Sequence, residues 1–221
     1  MAVNTTAYQQ IVTELNQQQV TLVAVSKTKP PEDIEALYAL GQRDFGENYV
    51  QELVDKAAVL PKDIRWHFIG HLQSNKVKYI APFVHLIHGV DSLKLLQEIN
   101  KQAAKHNKII NCLLQVHIAQ EETKFGFSED ELLQLDSAIL SELKNVQVIG
   151  LMGMASFTED MSKVRHEFKH LKSIFNTLNN HHFTLNTLSM GMSGDYTIAI
   201  EEGSTMVRIG SLLFGARNYT L

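Results

Sequence analysis

The chain has 221 residues, 44% hydrophobic and 20% charged, which is ordinary for a globular protein with a sizeable core. A net charge of −4 argues against a protein that mainly binds nucleic acid. No apolar run is long enough to cross a bilayer, and the first residues lack the basic and apolar segments of a secretory signal. Cys112 is the single cysteine, which excludes an intrachain disulfide and a cysteine-based metal site. The apolar neighbours of Cys112 predict a buried, unreactive thiol. From these observations together we expect a cytoplasmic protein without membrane contact.

Short β-branched runs alternate along the chain with stretches of helical spacing. A helix is predicted over residues 4–18, before the first strand. The predicted strands cover 20–26, a short segment that ends near Phe45, 65–69, 84–90, 109–118, 146–152, 185–189 and 206–209. Four helices are predicted with both ends: 47–60, from Asp91 or Ser92 to about His106, from about Glu159 to Asn179, and 196–202. Four more are predicted by their start alone: after Pro31, near Ser74, at Ser128, where Glu131 has capping-box spacing, and near Ser211.

Eight strand–helix units predict a closed (β/α)8 TIM-type barrel with an extra N-terminal helix, formed as a single domain by residues 1–221. An open doubly wound sheet is the structural alternative, because alternation alone permits it. In a barrel the chemistry lies where strands end, so the residues that follow each predicted strand are the candidates for a site.

Lys27 directly follows the first predicted strand, on the same face as Val23 and Val25. An amine at the mouth of a barrel is partly desolvated, which favours the neutral form that attacks carbonyl groups. The alternative is a lysine whose ammonium reaches into water. We expect that simpler arrangement for Lys29.

Two loops near the end of the chain have the composition of phosphate-binding turns. Residues 189–195 (SMGMSGD) and 208–211 (RIGS) follow the seventh and eighth strands and each leads into a helix. Barrels frequently bind phosphate there, on backbone N–H groups and helix N-termini. Arg208 alternates with Val207 and Ile209 and should point into the barrel. There it needs an acceptor, either a carboxylate such as Glu47 or an atom of a ligand.

Five segments in order resemble the pyridoxal phosphate homeostasis protein family, which is alanine-racemase-like with a fold-type III barrel. They are VAVSKTKP (23–30), FGENYVQE (45–52), WHFIGHLQSNK (66–76), SMGMSGD (189–195) and STMVRIGSLLFGAR (204–217). The resemblance implies that Lys27 holds pyridoxal 5′-phosphate (PLP) as a Schiff base and is the catalytic lysine if a reaction occurs. It implies that Ser193, Gly210 and Ser211 bind the phosphate, that Arg208 faces the ring nitrogen and that Asn48 lies near the ring. Gly153 is a departure, because relatives often have Thr there.

The resemblance implies intracellular PLP homeostasis, in which the protein stores or delivers the cofactor, with PLP-dependent apoenzymes as recipients. We expect a monomer or weak dimer, without a metal site. The alternative function is a weak PLP-dependent amino-acid racemase or lyase. Racemisation needs a second base, which racemases of this fold class take from a C-terminal β domain, and we expect that domain to be missing because the chain stops at Leu221. A Schiff-base aldolase for phosphorylated sugars would place its lysine on a later strand.

Overall fold

Eight parallel strands close into a barrel in sequence order in the computed structural model, which describes residues 3–119, 125–135, 137–181 and 183–215. The closing pair joins the first strand to the last, with Val23 opposite Arg208. The predicted barrel is therefore confirmed, and the open doubly wound sheet is excluded. The strands are β1 (Thr21–Val25), β2 (Asp44–Glu47), β3 (Arg65–Phe68), β4 (Leu86–Val90), β5 (Ile110–Gln115), β6 (Val146–Met152), β7 (Thr187–Ser189) and β8 (Met206–Ile209).

The helices surround the barrel, and two of them begin at capping residues that the sequence predicts. Ser92 accepts a hydrogen bond from the Leu95 N–H at 3.3 Å, and Ser128 forms a capping box with Glu131. The helices are α1 (Thr5–Gln17), α2 (Pro31–Ala39), α3 (Val50–Val59), α4 (Val77–Ile80) after a 3-10 turn at Ser74–Lys76, α5 (Leu93–Lys105), α6 (Glu129–Leu133), α7 (Ser137–Glu142), α8 (Met161–His181), α9 (Tyr196–Glu201) and α10 (Ser211–Phe214).

The second strand extends further than the sequence predicts. It ends at Glu47 rather than near Phe45, and the helix that follows begins at Val50 rather than Glu47. Strand pairing decides this boundary, because Glu47 lies opposite Phe68 of β3. Glu47 consequently becomes a strand-end residue, and its carboxylate lies beneath the loop that follows β1. Helix α7 was not predicted at all.

Apolar side chains pack in part of the barrel interior and throughout the layer between strands and helices. Val23, Leu86, Leu113, Met152 and Met206 form the interior cluster. The long helix α8 contributes five buried side chains at helical spacing to the outer layer: Val164, Phe168, Leu171, Phe175 and Leu178. Cys112 is buried as predicted. None of the helices in the described part of the chain has both the length and the apolar composition needed to span a membrane.

Candidate functional site

A cavity of about 390 Å³ lies at the carboxyl end of the barrel strands. Its lining includes every site residue that the sequence predicts: Lys27, Asn48, Ser193, Arg208, Gly210 and Ser211. The remaining lining is mostly apolar and includes Val25, Ile69, Met154 and Phe157. Residues separated by more than 180 positions in the sequence thus meet in one cavity because β8 pairs with β1. The last two residues of the fifth family-like segment, 216 and 217, lie outside the described residues.

The turn that carries Lys27 rests on a buried ion pair between Lys56 of α3 and Glu47. The Lys56 ammonium donates to Glu47 Oε1 at 2.7 Å and to the Ser26 carbonyl at 2.8 Å. The Ser26 hydroxyl donates to the same carboxylate oxygen at 2.6 Å. Burial raises the pKa of Glu47, and the charge of Lys56 opposes that rise. These bonds fix the residue immediately before Lys27.

The residue after Lys27 is also held tightly. Thr28 has a φ of 63°, a left-handed backbone conformation that is uncommon for a β-branched residue. Its N–H donates to Glu52 Oε1 at 2.5 Å, and the Lys29 N–H closes the turn on the Ser26 carbonyl at 3.0 Å. Lys27 itself is only partly exposed, as the sequence predicts. Its backbone therefore has little freedom at the edge of the cavity.

Lys29 differs from our expectation that its ammonium would reach into water. The ammonium donates to the Phe214 carbonyl at 2.7 Å, and the side chain lines the cavity. This bond joins the loop after β1 to the end of α10. Its contact depends on the closed barrel, so local sequence could not reveal it.

The two predicted phosphate-binding loops contact each other directly. The Gly210 N–H donates to Ser193 Oγ at 3.2 Å, which leaves the hydroxyl hydrogen of Ser193 available for an acceptor. Gly191 has a φ of 95°, and a Cβ there would lie 2.6 Å from the Cβ of Ala199, so a larger residue would not fit. By contrast, a Cβ on Gly194 would meet nothing within 4 Å. The loops form one polar wall with open space beside it.

Arg208 points into the barrel interior, as the alternation in β8 predicts. Its guanidinium donates to the Ser189 carbonyl at 2.9 Å, to Ser189 Oγ at 2.6 Å and to the Gly153 carbonyl at 3.0 Å. The alternative ion pair with Glu47 is wrong, because Arg208 has these acceptors and Glu47 pairs with Lys56. Burial lowers the pKa of Arg208 to about 10, against the opposing charge of Asp195, so the side chain is cationic at neutral pH.

Asn48 presents an acceptor without a partner. Its Oδ1 is buried and has no hydrogen-bond partner among the described residues, although the side chain lines the cavity. Buried polar atoms in proteins are nearly always paired, so such an atom indicates where a donor from a ligand would fit. The adjacent backbone is constrained, because a Cβ on Gly70 would lie 2.4 Å from the Asn48 carbonyl oxygen.

The histidines in and beside the third and fourth strands make contacts with other protein side chains. His71 pairs with Asp91 at 3.2 Å and stacks on Phe125 at 4.5 Å between ring centroids. His67 and His88 are buried and hydrogen-bonded to each other at 2.9 Å. The two residues are 21 positions apart on different strands, so their contact follows from the pairing of β3 with β4 and not from local sequence.

The family model "Alanine racemase, N-terminal domain" matches residues 4–218. The Pyridoxal phosphate homeostasis protein of Aquifex aeolicus is 46% identical over 200 residues, covering 90% of this chain and 87% of that protein. The protein of the same name from Vibrio alginolyticus is 45% identical over 206 residues, covering 91% and 88%. The structure of PipY from Synechococcus elongatus PCC7942 with PLP bound is 35% identical, with a TM-score of 0.83, covering 92% of this chain and 98% of that one.

Proposed function

This chain belongs to the pyridoxal phosphate homeostasis protein family, and we propose that it binds PLP in the cavity at the carboxyl end of the barrel. In this proposal Lys27 holds the cofactor as a Schiff base for storage or for delivery to PLP-dependent apoenzymes. The protein acts as a monomer or weak dimer in the cytoplasm, and residues 1–221 form one PLP-binding domain.

The observation that carries the proposal is the grouping of the six predicted residues around one cavity. PLP has an aldehyde, a dianionic phosphate, a ring nitrogen and a phenolic oxygen, and each has a complementary protein group here. Lys27 supplies the amine, and the hydroxyls of Ser193 and Ser211 supply donors for the phosphate, on a turn where the Gly210 N–H holds Ser193 in place. Asn48 Oδ1, which has no partner among the described residues, supplies an acceptor near the ring. The residues therefore fit the cofactor.

Arg208 is the feature that favours binding over catalysis. PLP supplies an electron sink, and the protein group beside the ring nitrogen determines how strongly the ring withdraws electrons. Arg208 is cationic and can only donate hydrogen bonds, so beside that nitrogen it would keep the nitrogen unprotonated. A ring with an unprotonated nitrogen stabilises the carbanion left by α-proton removal poorly. The alternative racemase or lyase would therefore be weak.

Borohydride trapping tests the proposed attachment. Protein mixed with PLP is reduced, and the modified residue is mapped by mass spectrometry in the native chain, in Lys27→Ala and in Lys101→Ala. Lys101 is exposed on α5 and lies outside the cavity lining, so it is the matched control. We expect one reduced adduct on Lys27 in the native and control proteins and none in Lys27→Ala. An adduct mapped to Lys29 would contradict the assignment.

Deuterium exchange separates storage from catalysis. The PLP-loaded protein is incubated with common amino acids in D2O, and loss of each α-proton is followed by NMR. We expect exchange no faster than with free PLP at the same concentration. Exchange of one amino acid well above that rate would favour the racemase or lyase instead.

A further inference from the structure

Five buried polar side chains form a continuous hydrogen-bonded series through the barrel interior, which we call the interior relay: Asp44, His67, His88, Ser189 and Arg208. Asp44 Oδ1 lies 3.0 Å from His67 Nε2, and His67 Nδ1 lies 2.9 Å from His88 Nε2. His88 Nδ1 lies 3.1 Å from Ser189 Oγ, which accepts from Arg208 at 2.6 Å. The relay links the start of β2 to the cavity at the opposite end of the barrel.

The two ends of the interior relay determine the direction in which hydrogen bonds are donated along it. Arg208 can only donate, and the Asp44 carboxylate can only accept. Desolvation acts to raise the pKa of Asp44, but hydrogen bonds from Arg65 and His67, together with the charge of Arg65, outweigh it and lower the pKa to about 2. The carboxylate is therefore ionised at neutral pH.

Every intermediate group can satisfy both neighbours in one arrangement. Arg208 donates to Ser189, the Ser189 hydroxyl donates to His88 Nδ1, and His88 Nε2–H donates to His67 Nδ1. His67 Nε2–H then donates to Asp44. Both rings are neutral and carry their proton on Nε2 in this arrangement. Burial lowers the pKa of His88, in agreement with a neutral ring.

The opposite arrangement, in which His67 donates to His88 and His88 donates to Ser189, leaves a donor unsatisfied. If His67 carried two protons, His88 Nδ1 would have to donate to Ser189 Oγ, which already accepts from Arg208. The hydroxyl hydrogen of Ser189 would then need another acceptor, and the described residues provide no such hydrogen bond. An unpaired buried donor costs free energy, so the one-way arrangement is favoured.

We propose that His88 is a positioning residue for Arg208, and that it acts through Ser189 with its ring tautomer set by Asp44 and His67. The interior relay thereby holds the guanidinium in one orientation at the cavity. This inference rests on the proposed function only for the identity of the group that Arg208 faces, the ring nitrogen of PLP. The relay itself belongs to the protein without cofactor.

Nitrogen-15 NMR of the cofactor-free protein tests the arrangement independently of PLP binding. Long-range proton–nitrogen correlations report which ring nitrogen of each histidine carries the proton. We expect the Nε2–H tautomer for both His67 and His88. A doubly protonated His67, or an Nδ1–H tautomer for His88, would overturn the proposal.

Three variants then test the effect on Arg208. His88→Leu removes both hydrogen bonds, whereas His88→Asn keeps a short acceptor directed toward Ser189. His85→Asn is the matched control, because His85 is exposed and its ring centroid lies 5.5 Å from that of His67. The guanidinium NMR signals of Arg208, assigned by their loss in Arg208→Lys, report its rotational freedom without cofactor.

We expect His88→Leu to free the Arg208 guanidinium, His88→Asn to restore part of its order, and His85→Asn to leave it unchanged. With PLP added, His88→Leu should shift the absorbance band of the bound cofactor and weaken its binding about ten-fold. Unchanged Arg208 signals in folded His88→Leu would overturn the positioning role. If none of the proteins binds PLP, the proposed function fails, and the NMR data alone decide the relay.

Discussion

Replacing Lys56 with methionine would leave the Glu47 carboxylate buried without its cationic partner. The exposed fractions of the two side chains are 6% and 0%, so water cannot replace the lost ammonium without local opening. Removing one member of such a pair costs about 3–5 kcal/mol of unfolding free energy. Lys56 also donates to the Ser26 carbonyl and to Glu52, so we expect a loss of at least about 3 kcal/mol.

Urea denaturation of the cofactor-free protein measures this loss. The double variant Glu47→Gln/Lys56→Met should recover much of it, because no buried charge remains, and Lys101→Met should change stability by less than about 0.5 kcal/mol. The sign of the pH dependence follows from Glu47. Burial already raises the pKa of Glu47, and the pKa rises further without Lys56. Acidification therefore protonates Glu47 and reduces the difference in unfolding free energy between the native protein and Lys56→Met. A difference below about 1 kcal/mol at neutral pH, or a double variant no more stable than Lys56→Met, would refute this reasoning.

Ser193→Ala and Ser211→Ala should each weaken PLP binding by about 1.5–3 kcal/mol in equilibrium titrations, because each removes a hydrogen bond to a charged group. An equal fall in thermal stability of the cofactor-free protein would instead make these serines structural. Asp44→Asn should cost about 2 kcal/mol of stability at neutral pH, since the carboxyl pKa falls from 3.8 to about 2 on folding. This difference should shrink in urea melts as the pH falls from about 4 towards 2, and a constant difference would contradict it. Gly153→Thr should destabilise the protein by about 1–3 kcal/mol, because a Cβ there lies 2.7 Å from Leu171 Cδ2. Unchanged urea midpoints would show that Leu171 moves aside easily.

The alternation of short apolar strands with helical segments predicts an α/β fold, and the count of eight strand–helix units favours the barrel over the open sheet that alternation alone also permits. The rule that barrel chemistry lies at strand ends then selected Lys27 and Arg208, and both line the cavity. Family resemblance supplied Asn48, whose side chain is otherwise ordinary. Their roles toward PLP stay predictions, because location alone does not test them.

The supporting contacts could not be read from the sequence, because they join distant positions. His88 bonds to Ser189, 101 residues later, and the strand spacing of either residue alone is compatible with many partners. The pair of Lys56 with Glu47 was missed for a different reason. The sequence predicts a helix from residue 47 onwards, and only strand pairing extends β2 far enough to bury the Glu47 carboxylate.

Closure of the barrel by β1 and β8 has a consequence for how the chain acquires its ligand. Lys27 emerges early during synthesis, but its neighbours Arg208 and Ser211 are made near the end and reach it only after the last strand pairs with the first. An incomplete chain therefore has the amine without the anion-binding wall. A ligand that bridges this seam binds only the closed form and stabilises it by mass action, so binding reports that folding is complete.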